Sequence, residues 1–229
     1  MSVNEKRFCM CARPRGGLRN MKAALLKEYQ WPSGAAITVR FLEGDPGLQE
    51  RVEAVSKEWT GSGMANLRLR FIKNGDADIR IGFVQGDGSW SYLGTYCRTI
   101  DKTSPTMNYG WLTPASSDDE LRRVVLHEFG HALGLIHEHQ NPDQPIQWNK
   151  PAVRRDLGGP PNNWDDATIE SNMFKKYAPG ELIGTELDPT SIMMYPIPKA
   201  WTLNGFSADL NKDLSPKDRQ LICEAYPRV

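Results

Sequence analysis

Apolar and polar residues alternate over several short segments between residues 37 and 112, which is the pattern of half-buried β-strands. Turns rich in Gly and Asp separate these segments, so the pattern predicts a mixed sheet with at least one hairpin. The segments are ITVRF (37–41), LRLRFI (67–72), DIRIGFV (78–84), WSYLGTY (90–96) and TMNYGWL (106–112).

Two long helices are predicted beside this sheet. Asp45 and Pro46 are typical of a helix start, as cap and first helical residue. The apolar residues of this first helix share one side and are Leu48, Val52, Val55 and Trp59. The second helix begins after Ser117, where Glu120 completes a capping-box pattern. Its apolar positions between residues 121 and 136 also fall on one side, so each helix is expected to bury one face.

The two ends of the chain differ from this central part. Residues 1–29 contain seven Lys or Arg against two Asp or Glu, which predicts a basic, largely irregular leader or pro-segment-like tail. The rest of the chain is expected to form a single domain. After residue 140 the chain is rich in Pro, Gly and Asn, with helices predicted only near 165–177 and after Ser215. The fold class is therefore α/β (α+β), a twisted mixed sheet with two long helices and an irregular C-terminal lobe ending in a helix.

Composition limits the partners and the compartment. The 229 residues hold 28 Lys and Arg against 28 Asp and Glu, so no global charge favours nucleic acid as a partner. No apolar run approaches the roughly 20 residues of a membrane span. The first residues show no signal-peptide pattern, which leaves the compartment open. The cysteines are Cys9, Cys11, Cys97 and Cys223, and their disulfide state is open.

All four histidines lie between residues 127 and 139, in HEFGHALGLIHEH. His127 and His131 are four apart, so on a helix they share the side opposite the apolar face. Gly134 tolerates positive φ and is predicted to end the helix, so that His137 can turn back to the same ion. Three neutral imidazoles leave a tetrahedral metal one position for water. This set predicts one catalytic Zn²⁺ per chain.

Glu128 follows the first histidine directly and is placed beside the ion without ligating it. Its carboxylate can take a proton from a zinc-activated water and pass it to a leaving amine, as peptide hydrolysis requires. An amphipathic helix with surface or core histidines would explain any single imidazole, but not the whole HExxHxxGxxH pattern. A purely structural zinc site would need a fourth protein ligand. His139 lies outside the signature spacing and is expected to support the site or be exposed.

HEFGHALGLIH (127–137) resembles the extended zinc signature of the metzincin metallopeptidases, and two further features resemble the astacin family within them. Glu138 follows the third histidine, and SIMMY (191–195) is similar to the astacin Met-turn, Ser-x-Met-x-Tyr. WPSG at 31, WSYLG at 90 and LSPKDRQLICEAYP at 214 resemble the start, the substrate-lining edge strand and the last helix of the astacin domain. The resemblance thus covers roughly residues 30–229.

This resemblance implies a two-lobed zinc endopeptidase that acts on peptides or proteins, is monomeric and, as is usual in the family, is secreted. Met193 would form an apolar floor beneath the zinc ligands. Tyr195 would be a displaceable fifth ligand that also stabilises the oxyanion. Ser89 and Asp119 stand where many astacins have a cysteine pair, so that bridge is not expected. No Arg lies between Tyr195 and Lys217, so a preference for Asp after the scissile bond is not implied.

The sequence leaves two questions open. The first is whether the chain is an enzyme or a catalytically silent, zinc-containing peptide-binding module of the same fold; the presence of Glu128 and Tyr195 argues against the second possibility. The second question is the leader, where a thiolate of Cys9 or Cys11 could ligate zinc and displace its water. A solvated tail with two reactive thiols is the simpler interpretation.

Overall fold

The computed structural model describes residues 7–12, 25–176, 182–183 and 187–228. The strands are β1 (Met10–Ala12), β2 (Leu25–Leu26), β3 (Ala36–Phe41), β4 (Arg68–Phe71), β5 (Ile79–Gly82), β6 (Ser89–Tyr92), β7 (Met107–Tyr109) and β8 (Leu182–Ile183). The helices are α1 (Pro46–Ser56), α2 (Asp118–Ala132), α3 (Lys150–Gly158), α4 (Asp166–Ile169) and α5 (Pro216–Ala225). The predicted mixed α/β fold is confirmed.

The main sheet has the strand order β1-β6-β7-β5-β3-β4. Its neighbours pair in parallel, except β6 and β7, which form the predicted antiparallel hairpin. Strand β6 lies between β7 and β1, so among strands from residue 30 onward it forms one edge of the sheet, and β4 forms the other. A short separate pair joins β2 to β8. Without β1, one side of β6 would therefore be an unpaired strand edge.

The two predicted long helices pack together beside the sheet. The Asp45 carboxylate accepts a hydrogen bond from the backbone N–H of Leu48 at 2.9 Å and caps α1. Ser117 caps α2 in the same way, accepting from the backbone of Glu120. The buried indole of Trp59 donates to the carbonyl oxygen of Leu126 at 3.0 Å, which fixes the end of the α1 segment against α2. Burial of these apolar faces stabilises the packing of the two helices against the sheet.

Two hydrophobic cores meet at the segment 191–195. The larger core lies between the sheet and the long helices and includes Ile192 and Met193. The smaller core lies in the C-terminal lobe around Trp201 and includes Met194 and Tyr195. Neighbouring residues of this one turn are thus anchored in different lobes, which holds the turn at the floor of the groove between them. No helix of the described ranges is long and apolar enough to cross a bilayer.

Two sequence predictions are wrong in detail. The strand predicted over 90–96 ends at Tyr92, and residues Gly94–Thr99 form a 3-10 helix. Gly94 has φ +42° and lies against the Tyr29 carbonyl, a contact that the alternating pattern cannot reveal. Helix α3 was not predicted, because its surroundings are rich in Pro. Pro151 lies in its first turn, where proline is compatible with a helix, and Val153 and Leu157 bury its inner face.

The leader also differs from the prediction of a largely irregular, solvated tail. Its residues 10–12 form β1, which pairs in parallel with β6. Phe8 and Cys9 are buried, with 3% and 2% of their surface exposed. Side-chain packing across a sequence distance of more than 100 residues decides this placement, so local composition could not predict it. Residues 1–6 and 13–24 of the predicted leader lie outside the described residues.

Candidate active site

The three signature histidines converge where α2 ends. The helix stops after Ala132, and Gly134 adopts φ +94°, as predicted from its tolerance of positive φ. The backbone N–H of Leu135 then donates to the Gly130 carbonyl at 2.9 Å, which reverses the chain. One ring nitrogen from each of His127, His131 and His137 falls within 4.8 Å of the others, and all three rings are buried.

Backbone carbonyls orient two of these rings. The Nδ1 atom of His127 lies 2.8 Å from the Ile192 carbonyl oxygen, and Nδ1 of His131 lies 2.8 Å from that of Leu135. Nδ1–H donation to a carbonyl leaves Nε2 with its lone pair, which is the arrangement of a metal-ligating histidine. The Nε2 atoms of His131 and His137 are 3.1 Å apart.

The histidine triad fits a zinc ion. Among the described residues, Nε2 of His127 has no hydrogen-bond partner although it is buried, and a ligated cation would satisfy it. Burial lowers the pKa of His127 to about 4, so its imidazole is neutral at physiological pH and able to ligate a metal. No other group of three His, Cys, Asp or Glu side chains converges in this way within the described ranges.

The turn at 191–195 lies beneath this triad. Met193 is buried, and its thioether lies against the backbone of Gly130 on α2. The Asp218 carboxylate accepts hydrogen bonds from the Ser191 hydroxyl at 2.6 Å and the Ile192 backbone at 2.8 Å. Since Ile192 in turn orients the His127 ring, a chain of hydrogen bonds runs from α5 to the triad. The HExxH pattern carries no signal for this role of Asp218.

Glu128 is fully buried next to the triad. Neither of its carboxylate oxygens makes a hydrogen bond of ordinary geometry to another described residue, although the Cys9 thiol and Arg123 are its neighbours. Burial raises the pKa of Glu128 well above its usual value, while Cys9 and the positive charge of Arg123 lower it. An uncommitted buried carboxylate of this kind is typical of catalytic acids and bases.

Tyr195 and His139 line the other side of the triad. The Tyr195 ring centroid lies 4.1 Å from that of His137, and its hydroxyl donates a hydrogen bond to the Cys9 carbonyl. The His139 ring stacks 4.9 Å from Tyr195 and 5.3 Å from His137. Its Nε2 atom lies 2.7 Å from the Asn172 carbonyl. The alternative that His139 is exposed is therefore wrong, since the residue is 1% exposed.

The leader crosses this site. Phe8 stacks on Trp201 with ring centroids 5.5 Å apart and meets Tyr195 edge-on at 5.3 Å. Its backbone N–H donates to the side chain of Asn162 at 3.1 Å. Cys9 lies beside Glu128, and burial together with the Glu128 charge raises the pKa of its thiol. Cys9, Cys97 and Cys223 are all free thiols.

Arg123 is a further cleft residue that sequence reasoning missed. It precedes His127 by four residues, a spacing that places both on one side of α2 and that could have identified it. The residue is 9% exposed. Its guanidinium pairs with Glu120 through Nη2 at 2.7 Å and Nε at 3.0 Å. Glu120 also accepts from the Trp111 indole at 2.8 Å, so Arg123, Glu120 and Trp111 form one connected group along the cleft.

Comparisons with known proteins point to one family. Residues 27–220 match the family described as Astacin (Peptidase family M12A). A zinc metalloproteinase of Caenorhabditis elegans, nas-30, is 29% identical over 133 residues, which are 58% of this chain and 16% of that protein. The chain thus spans only a small part of this curated relative's length.

Solved structures agree with this match. One structure of myroilysin is 41% identical, with a TM-score of 0.86 over 90% of this chain and 100% of that one. A second covers 100% of this chain and 94% of its own at 37% identity and a TM-score of 0.72. High choriolytic enzyme 1, a hatching-enzyme zinc protease of the medaka Oryzias latipes, is 18% identical over 90% and 98% of the two chains. Its TM-score of 0.56 indicates a shared fold.

Proposed function

Because this chain belongs to the astacin family of peptidases, we propose that it is a zinc-dependent endopeptidase in which Glu128 is the general base. The observation that carries the proposal is the pairing of three convergent imidazoles with an adjacent carboxylate. His127, His131 and His137 would hold one Zn²⁺. Zinc in such a site polarises the substrate carbonyl and lowers the pKa of water.

The side chains around the triad then have distinct tasks. Glu128 accepts the proton of the attacking water and delivers it to the departing amine, because its carboxylate is buried beside the triad and, among the described residues, has only the Cys9 thiol of the leader as a neighbouring uncharged donor. Tyr195 directs its hydroxyl toward the carbonyl oxygen that becomes the oxyanion, a place that the Cys9 carbonyl takes in this structure. Met193 supports the triad from below. His139 holds the Tyr195 ring in position by stacking.

The substrate backbone would pair with β6. This strand is one of the two edges of the sheet once β1 is discounted, and it is the edge with which the leader pairs beside the triad. An extended peptide can add to such an edge by backbone hydrogen bonds. The leader segment that now pairs with it belongs to the same chain. Substrate and leader therefore compete for one strand edge.

The proposal includes latency imposed by the leader. Phe8 fills an aromatic pocket beside Tyr195, β1 covers the strand edge, and the Cys9 thiol lies beside Glu128. Each contact occupies a place that a substrate or the reacting water needs. Residues 7–12 would thus hold the enzyme inactive until the leader is cut or displaced.

The test uses a leader-cut chain, which is the full chain with a site-specific protease sequence replacing residues 17–22, cut and separated by gel filtration. It is incubated with a diverse peptide mixture, with and without a zinc chelator, and the products are identified by mass spectrometry. Internal cuts that vanish with chelator and return with zinc are expected. Peptide binding without cuts would instead favour the alternative function, a catalytically silent peptide-binding module, and cuts that resist chelation would exclude a zinc mechanism.

A second test addresses the ligands. Separate His127→Ala, His131→Ala and His137→Ala variants should lose zinc and activity together, because each removes one of three protein ligands. Zinc content is read by atomic emission on the dialysed proteins. Full occupancy in all three variants would contradict the assigned ligand set.

A further inference from the structure

A cationic side chain of the leader occupies the end of the cleft beyond Ser89. The guanidinium carbon of Arg7 lies 5.9 Å from the centre of the Trp111 ring, within the range of a cation–π interaction. The same indole donates to Glu120 at 2.8 Å, and Arg7 is close enough to Glu120 for their charges to interact. Glu120, whose charge is paired by Arg123, therefore orients the indole whose face receives the Arg7 guanidinium.

The cavity at this place has an acidic lining apart from the leader. It measures about 550 Å³ and has Asp87, which precedes β6, on one side and Asp165, which caps α4, on the other. Among the described residues that line it, Arg7 is the sole basic one. When the leader leaves, the cavity keeps two carboxylates and the faces of Trp111 and Trp164, but loses its cation.

The position of this cavity relative to the reacting bond follows from strand register. Met10 pairs with Trp90, and Cys9 lies beside Glu128, so Cys9 marks the level of the chemistry. Arg7 lies two residues further toward the Ser89 end of β6. Antiparallel pairing is slightly more stable than parallel pairing. A substrate paired with β6 should therefore run, from its N-terminal to its C-terminal end, from Tyr92 toward Ser89. Its residues that follow the scissile bond then reach this cavity.

We propose that Trp111 and Asp87 form a specificity subsite for an Arg or Lys side chain located within three residues after the scissile bond, and that Glu120, paired with Arg123, orients the Trp111 indole. While the leader covers the cleft, its Arg7 occupies this subsite. The inference rests on the proposed peptidase function, since it names the substrate class of the same site. In this proposal, Arg7 occupies the place that a basic side chain of the substrate would occupy.

The first experiment compares cleavage of matched peptides by the leader-cut chain. The peptides share one cleaved sequence and carry Arg or Gln at each of the three positions on either side of the bond. At one of the three following positions, kcat/KM should be about threefold to thirtyfold higher with Arg, the range of one cation–π contact plus one exposed ion pair. Equal rates at all three, or a preference only on the preceding side, would overturn the proposal.

Variants of the proposed subsite residues test whether these residues cause the preference for Arg. Trp111→Leu and Asp87→Asn should each bring the Arg/Gln ratio toward one, whereas Asp209→Asn, at an exposed position outside the cavity lining, should retain it. The ratio is taken within each variant, so a fraction of misfolded protein cancels. A ratio that persists in both Trp111→Leu and Asp87→Asn would place the preference elsewhere and contradict the subsite.

A binding measurement separates failure of the subsite from failure of the peptidase function. A synthetic peptide of residues 5–12 and its Arg7→Gln form are titrated into the leader-cut chain, and the change in tryptophan fluorescence gives each Kd. The Gln form should bind about threefold to thirtyfold more weakly. Equal Kd values would overturn the subsite even if peptides are cleaved, while absence of all cleavage with a weaker Gln form would reject only the peptidase.

Discussion

The Tyr195 hydroxyl donates a hydrogen bond to the backbone carbonyl oxygen of Cys9, across a sequence separation of 186 residues. The same hydroxyl is proposed to bind the substrate carbonyl oxygen during hydrolysis. The leader backbone thus presents to Tyr195 the group that a substrate would present. β1, however, runs parallel to β6, opposite to the favoured substrate direction, so the leader can occupy the cleft without offering a bond in the productive orientation.

The docking of Phe8 makes leader-imposed latency testable in the full chain. Phe8→Ala should raise peptidase activity toward that of the leader-cut chain, because removal of a buried aromatic ring costs about 3 to 5 kcal/mol of packing. Activity per bound zinc is measured on one fluorogenic peptide. Leu203→Ala, which truncates an apolar side chain that is 71% exposed, is the control and should not activate. Parent-level activity in both Phe8→Ala and the leader-cut chain would contradict latency.

Thiol labelling should report the position of the leader directly. Burial raises the pKa of Cys97 to about 12, and Cys9 is also buried, whereas Cys223 is partly exposed. Since the thiolate is the reactive form, a Cys11→Ser chain at neutral pH should label rapidly at Cys223 alone. Cys9 of the Phe8→Ala form should become reactive as the leader leaves. Equally fast labelling of Cys9 in the parent, located by mass spectrometry, would show that it is not buried in solution.

The sequence could predict the parts of the site that depend on local spacing. His127 and His131 share a helix face because they are four residues apart, and Gly134 ends the helix because it alone there adopts φ +94° without strain. The sequence places Met193 near the triad only through the resemblance of its turn to a known motif. Its actual support, a contact with Gly130, is a tertiary contact.

The rest depends on contacts between distant segments. The early end of β6 is set by Gly94 lying against Tyr29, and no alternation of residues encodes that approach. The docking of Phe8 against Trp201 is another example, because a basic, Gly-containing leader has the composition of a solvated tail. The sequence predicts Asp218 only as part of the last helix, because its hydrogen bonds to the turn at 191–195 depend on how α5 packs.

Asp218 should position the triad through the turn that it holds. Asp218→Asn replaces one accepting oxygen by an amide that faces backbone donors, so unfolding free energy should fall by about 1 to 3 kcal/mol. Zinc affinity should fall about 10- to 100-fold, as for other residues that orient metal ligands. Asp209→Asn, at an exposed position, is the control and should change neither. Chelator competition measures zinc affinity, and urea unfolding measures the unfolding free energy. Unchanged zinc affinity in Asp218→Asn would make Asp218 a purely structural residue.

Tyr195 should contribute through its hydroxyl rather than its ring. In the leader-cut chain, Tyr195→Phe keeps the ring beside His137 and His139 but removes the oxyanion donor. We expect kcat to fall about 10²- to 10³-fold, the usual effect of one lost donor. KM and zinc content should change little. An unchanged kcat would show that Tyr195 serves packing alone.

The most direct test of the account is the turnover of Glu128→Ala in the leader-cut chain, measured at matched zinc content on one peptide. The carboxylate lies beside the triad but is not one of its three ligands, so the variant should bind zinc as the parent does. Loss of the general base should lower kcat about 10²- to 10⁴-fold. A kcat within tenfold of the parent at full zinc occupancy would contradict the assignment of Glu128 and, with it, the proposed mechanism of peptide hydrolysis.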